Sequence, residues 1–333
     1  MTLKTVWGLL KETASDWKED KADRLAASLA FYTILSLAPL VVIAVAVAGL
    51  AVGEEAARGQ LSGQIAALVG PQAAPAIEGF LANAHKPSTG VISTVVGAAV
   101  LLMGASGVFG ELQDSLNTIW EVAPKPGRGI WGMIRDRFFS FTMVVGVGFL
   151  LLVSLVVSAG LAVVGNVMSS NLPGGEALWR VVNFAVAFGV VTALFALIYK
   201  VVPDVNVRWS DVWVGAAVTA LLFTLGKIGI GLYLGKSTVA SAYGAAASIV
   251  VITIWVYYSA QILFMGAEFT QVYARRFGSR IEPSKNAVPV TEEARAQQGL
   301  VPVDRKENLA REHDRAKGGE GSHGGRPSRP AEV

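Results

Sequence analysis

No cysteine occurs in the 333-residue chain, and only three histidines do. The first absence excludes a disulfide framework, a thiolate zinc site and a cysteine nucleophile, and leaves the redox compartment open. The second leaves little material for acid–base or metal chemistry: His85 falls in a predicted loop, and His313 and His323 lie near the C-terminus. Charge is scarce as well. Asp, Glu, Lys and Arg make up 16% of the residues, against about a quarter in an average soluble domain. The net charge of +3 is too small for a nucleic-acid footprint. The N-terminal stretch has no signal-peptide core, because Lys4, Lys11, Glu12, Asp16 and Lys18 interrupt it.

What the chain does have is apolar residues, 53% of the total, and a mean hydropathy of +0.50. These values exclude a disordered chain. The apolar residues also lie in long runs, which points to one membrane domain with appendages. About 20 apolar residues suffice to cross a hydrocarbon core as a helix. Leu25–Gly53, Pro87–Gly110, Phe138–Pro173, Val181–Tyr199 and Ser237–Ala267 carry no charge, and Val212–Gly235 carries only Lys227. The expectation is an all-α bundle of six spans, at about 29–52, 90–112, 138–166, 180–201, 212–234 and 244–269. Lys and Arg cluster in alternate connections: Lys4 to Arg24, Lys125 to Arg137, Lys200 and Arg208, and Arg275 to Arg280. That bias predicts a multi-pass membrane protein with both termini cytoplasmic.

Three segments flank or interrupt the spans. Residues 1–24 include an amphipathic helix over 3–21, with Leu3, Trp7, Leu10, Ala14 and Trp17 on one face and Lys4, Lys11 and Lys18 on its flank. Two readings stand: a helix in the inner headgroup layer, partnered by membrane lipids and anionic headgroups, or a helix packed on the loops. The loop between spans 1 and 2 shows helical spacing at Leu61, Ile65, Leu68 and Val69, and again at Ile77, Phe80 and Leu81, split by Pro71 and Pro75. It predicts two short outer helices or, as the alternative, a re-entrant hairpin. The membrane domain is placed at 25–281. Residues 282–333, rich in Pro, Gly and charge, read as a disordered cytoplasmic tail.

Ionisable groups in or near a bilayer are costly and therefore informative. Glu111 and Asp114 sit on one helix face at the inner end of span 2, with Thr118 four residues on. Glu268 sits at the inner end of span 6, with Gln261 seven residues earlier and Tyr258 ten earlier. Arg24, Arg135, Arg137 and Arg275 are the basic groups at that depth. Either an inner ring of ion pairs fixes packing, or these groups form an inner gate. Lys227 lies 16 residues beyond Asp211, about 24 Å along span 5, where it either snorkels outward or lines a wet cavity that takes an anion. Pro39 falls mid-span 1 and frees a carbonyl near Leu35, which the Ser36 hydroxyl is placed to satisfy. Gly104 and Gly107 loosen span 2, and Gly226, Gly229, Gly231 and Gly235 loosen span 5. Close helix packing is the default for such residues, and a broken helix at a transport site is the alternative.

Four strings, SLAFYTILSLAPL (28–40), GASGVFGELQDSLNTIWEV (104–122), YKVVPDVNVRWSDVWVGA (199–216) and SAYGAAASIVVITIWVYYSAQILFMGAEFTQVYA (241–274), resemble the YihY/BrkB family of bacterial inner-membrane proteins over about residues 15–280. The resemblance implies a six-span membrane protein without an established reaction. Family members have carried the label "ribonuclease BN". The chain has no HxH, no paired His–Asp cluster, no Cys ligand and no aromatic-studded basic sheet, so neither RNA cleavage nor RNA binding is expected. No catalytic residue, metal or cofactor is expected either. The expectations are a permease, exporter or lipid-handling protein acting on a small molecule or lipid along a polar route between spans 1, 2, 5 and 6, or a non-transporting scaffold that maintains the envelope.

Overall fold

A computed structural model describes residues 3–69, 104, 107–126, 175–236, 247–278 and 281–300. Predicted span 3, most of span 2 and the second outer-loop helix lie outside the described residues. The chain divides into two compact units, Met1–Pro289 and Val290–Val333.

In the first unit, α1 (Leu3–Glu19) leads through a turn at Lys21 into α2 (Ala22–Val52). Helix α2 carries predicted span 1 and continues through Pro39 without interruption. It ends at Gly53, whose φ of 84° is strained for any residue with a Cβ. Helix α3 (Glu54–Val69) follows at once. Its first turn places Glu54 and Glu55 at the positive end of the helix dipole, and Glu54 pairs with Arg58 one turn on at 3.1 Å. The outer loop therefore opens as one helix starting at Glu54, several residues before the apolar spacing at Leu61 begins. The early glutamates are polar, and periodicity of apolar residues does not register them.

Residues 107–119 form α4. Then come α5 (Gly175–Val201), α6 (Trp209–Lys236) and α7 (Ala247–Phe277). Among the described residues three stretches are long and apolar enough to cross a membrane: Val181–Val201, Trp209–Ile230 and Ile249–Phe277. They coincide with predicted spans 4, 5 and 6. Helix α6 packs between α5 and α7, and the other side of α7 receives α2 and α1. The core is built from interleaved small and large side chains. Phe195, Ala196 and Tyr199 of α5 meet Val212, Ala216 and Ala220 of α6 and Ala260, Phe264 and Ala267 of α7.

Four short strands join the helix ends. β1 (Val122–Pro124) pairs antiparallel with β4 (Ala287–Pro289), with Ala123 opposite Val288. β2 (Val205–Asn206) pairs antiparallel with β3 (Glu282–Pro283). This corrects the expectation that everything from residue 282 onward is disordered. The segment is short of apolar residues on average, but each strand needs only two or three residues when its backbone finds a partner edge. In the second unit, α8 (Glu292–Gln297) is capped by Thr291, whose hydroxyl oxygen accepts from the Ala294 amide at 3.3 Å. Residues 301–333 of the predicted tail lie outside the described residues.

Candidate functional site at the joined helix ends

The strand pairs bring the end of α4, the end of α5, the start of α6 and the end of α7 to one place. Side chains lock the junction. Asp204, in the α5–α6 turn, accepts from Asn117 Nδ2 at 3.0 Å and from Gln113 Nε2 at 3.3 Å. Its own amide donates to Asn117 Oδ1 at 2.8 Å, and its carbonyl accepts from the Ser284 amide at 2.8 Å. Asn117 is buried, so this reciprocal pair satisfies groups that would otherwise be costly to bury. Lys200 donates to the Val207 carbonyl and lies 5.9 Å above the Trp209 ring.

Helix α1 docks on α7 near the same end. Leu9 packs with Phe269 and Val272. Arg275 donates to Asp16 at 2.9 Å and also pairs with Glu12, while Arg276 pairs with Glu12. Arg275 had been placed with the acids of spans 2 and 6. Its ion pairs run instead to α1, whose acids share a face with Leu9 and Thr13. The docked face is therefore not the one that apolar spacing selects: of that set Trp7, Leu10 and Ala14 are exposed, and Trp17 packs against the core. Charge pairing and Leu9 decide the docking.

The seam between α6 and α7 is closed. A Cβ on Gly215 would lie 1.8 Å from Thr270 Oγ1, and one on Gly266 would lie 1.9 Å from Thr219 Oγ1. Such approaches are possible only for glycine. Gly226 continues the seam against Tyr258 and Ile262, which turns Tyr258 toward α6 rather than into a row with Glu268. The packing reading of Gly226 holds, whereas Gly229 has nothing within 4 Å. Tyr199 is fully buried, donates to the Leu263 carbonyl at 2.7 Å and lies 3.0 Å from Thr219 Oγ1.

Ser36, Gly104 and Gly107 come together. Ser36 Oγ donates to the Gly104 carbonyl at 2.5 Å, and a Cβ on Gly107 would lie 3.6 Å from that oxygen. The Ser36 hydroxyl thus ties α2 to a neighbouring segment, rather than repairing its own helix at Pro39. Glu111 is half-buried and Asp114 exposed, its carbonyl accepting from Thr118 Oγ1 at 2.9 Å. Glu268 has 0% exposure. Helical geometry places it with half-buried Gln261 and with Arg275, on the side of α7 away from Gly266 and Thr270. Buried Gln271 lies nearby on the helix, and its Oε1 has no hydrogen-bond partner among the described residues. Lys227 is exposed on α6, among exposed Leu225, Ile228 and Leu232. Arg135 and Arg137 lie outside the described residues.

Several of these features escaped sequence reading. Asn117 and Asp204 are 87 residues apart and carry no shared spacing signal. The Pro203-Asp204 pair, a turn signal, is the local feature that points to this place. Gly215 and Gly266 had no signal beyond the general habit of small residues in lipid-facing bundles.

Long apolar helices and a glycine-closed seam together define a helical membrane protein, with Lys227 and Glu268 as charges inside the apolar stretches. Residues 13–291 match the family model described as "Virulence factor BrkB". The chain belongs to that family. It is 32% identical over 275 residues to a UPF0761 membrane protein of Verminephrobacter eiseniae, covering 78% of this chain and 61% of that protein. It is 28% identical over 267 residues to a UPF0761 membrane protein of Aeromonas salmonicida, covering 76% and 86%. A Vibrio vulnificus UPF0761 membrane protein is 30% identical over 265 residues, covering 77% and 79%. The chain thus spans less than two thirds of the Verminephrobacter protein's length. No solved structure matches it.

Proposed function

We propose that the chain is a permease-type protein of the bacterial inner membrane, carrying a small molecule or lipid along the α2-facing side of α7. One observation carries the reading: the Glu268 carboxyl is wholly buried in a spanning helix, on the face shared with Gln261 and Arg275. Ionisable side chains inside a spanning helix are costly to bury and commonly line substrate or ion pathways, together with the groups they pair with. The sealed α6–α7 seam leaves no passage there, which shifts the expected route from span 5 to the other side of span 6. Glu111 and Asp114 would stand near the entrance, and Lys227 would face the lipid.

A cytoplasmic position for both termini and six spans is part of the same reading. Its support is the Lys and Arg bias of alternate connections in the sequence, with Lys125, Lys200, Arg275 and Arg276 standing at the joined helix ends. A scaffold is the second reading. It is favoured by the strand pairs and the Asn117–Asp204 clamp, which would serve rigidity alone.

An experimental structure in lipid nanodiscs separates the two. The permease reading expects a continuous hydrated or acyl-filled cavity reaching Glu268 between α2 and α7. A dry, ion-paired Glu268 with no such cavity would leave the scaffold.

A further inference from the structure

Helix α1 sorts its charges. The acids of α1, Glu12, Asp16 and Glu19, and Asp20 in the turn after it all lie on the half that meets the bundle or beside it. Glu12 and Asp16 pair with Arg275 and Arg276, Asp20 is buried, and Glu19 accepts from Ser15 at 3.1 Å. Lys4, Lys11 and Lys18 are all exposed. At 3.6 residues per turn they form a stripe about 170° from the docked face of Leu9, Thr13 and Asp16. Between the two faces stand Val6, Trp7 and Leu10, with 41%, 69% and 47% of their surface exposed.

The helix also sits at a defined depth. Leu9 packs on Phe269 and Val272, eight and five residues before the end of α7 at Phe277. That is about 7–12 Å inside the helix end. An apolar stripe at such a depth, bordered by three lysines and stripped of free acid, is the pattern of a helix seated at the boundary between acyl chains and anionic headgroups.

We infer that the outward face of α1 is a lipid-binding surface: Val6, Trp7 and Leu10 enter the acyl layer, and Lys4, Lys11 and Lys18 contact the phosphates of anionic lipids in the leaflet at the joined helix ends. The occupant is a bilayer rather than a protein, because the chain's own spans fix α1 beside that leaflet and the lysine stripe complements its charge. The inference needs only the membrane location and stands apart from the permease reading.

The full chain tests it directly, since it has no native cysteine. Nitroxide labels go on Trp7→Cys, Leu10→Cys and, as a water-facing reference on the lysine side, Ser15→Cys, in nanodiscs of phosphatidylcholine with or without phosphatidylglycerol. The expected result is high oxygen and low nickel-chelate accessibility at positions 7 and 10, with the reverse at 15. The lipid signature deepens when phosphatidylglycerol is present, and that difference disappears in the Lys4→Gln/Lys11→Gln/Lys18→Gln variant. Nickel access at 7 and 10 in both bilayers would overturn the inference. Exclusion of both colliders, the mark of a protein partner, would overturn it too. A lipid signature indifferent to phosphatidylglycerol and to the lysines would overturn the anionic contact.

Discussion

The phenol oxygen of Tyr199 lies 3.0 Å from the hydroxyl oxygen of Thr219 and donates to the carbonyl of Leu263 at 2.7 Å. One buried group therefore pins α5, α6 and α7 at a single point. Hydrogen bonds between helices in a membrane contribute about 0.6 kcal/mol on average and up to about 1.7. Tyr199→Phe should cost an amount in that range, read from the unfolding equilibrium in mixed micelles. Tyr199→Ala should cost about 3–5 kcal/mol, because it also opens a cavity.

The seam glycines should be far less tolerant. Gly266→Ala places a methyl 1.9 Å from Thr219 Oγ1, so α6 and α7 must separate, at a cost of about 1–3 kcal/mol or more. Adding Thr219→Gly should recover part of that loss. Gly229→Ala, which meets nothing within 4 Å, should be neutral or slightly stabilising through helix propensity. Thermal unfolding of the three variants followed by size-exclusion fluorescence checks the order.

At the joined ends, Asp204→Ala removes the acceptor of Gln113 and Asn117 and strands a buried amide. A loss of about 1–3 kcal/mol is expected. Asp204→Asn keeps an acceptor oxygen and should retain more than half of the stability. The midpoint of thermal unfolding distinguishes the two.

Arg275→Ala should undock α1 without unfolding the spans. Thr13 is 2% exposed on the docked face, so a Thr13→Cys thiol should react slowly with maleimide in the parent and much faster beside Arg275→Ala. Equal rates in both backgrounds would mean that Leu9 packing alone holds the helix.

The long apolar helices α5, α6 and α7 were legible in the sequence because hydropathy over about 20 residues is a strong, local signal. The same holds for the amphipathic character of α1, although not for the face it docks. Docking depended on Arg275, which lies 259 residues from Asp16, and no local period encodes that pairing. The strands at Ala123 and Val288 were illegible for a related reason: two or three residues have too little periodicity to register, and their stability comes from a partner far along the chain. Glu268 and Gln261 stand out in the sequence as polar breaks in an apolar run, and the structure buries the first and half-buries the second. Tyr258 lies ten residues from Glu268, an offset of about 80°, and the open space at Gly226 seats it against α6.

Water access along α7 bears most directly on the proposed route. Single cysteines at Gln261, Glu268 and Thr219 are treated with a membrane-impermeant thiol reagent in sealed inverted vesicles, with Ser15→Cys as the reactive reference. The route predicts modification at 261 and 268 and none at 219, which lies in the closed seam. Unreactive thiols at both 261 and 268, beside a fully reacted Ser15→Cys, would contradict it.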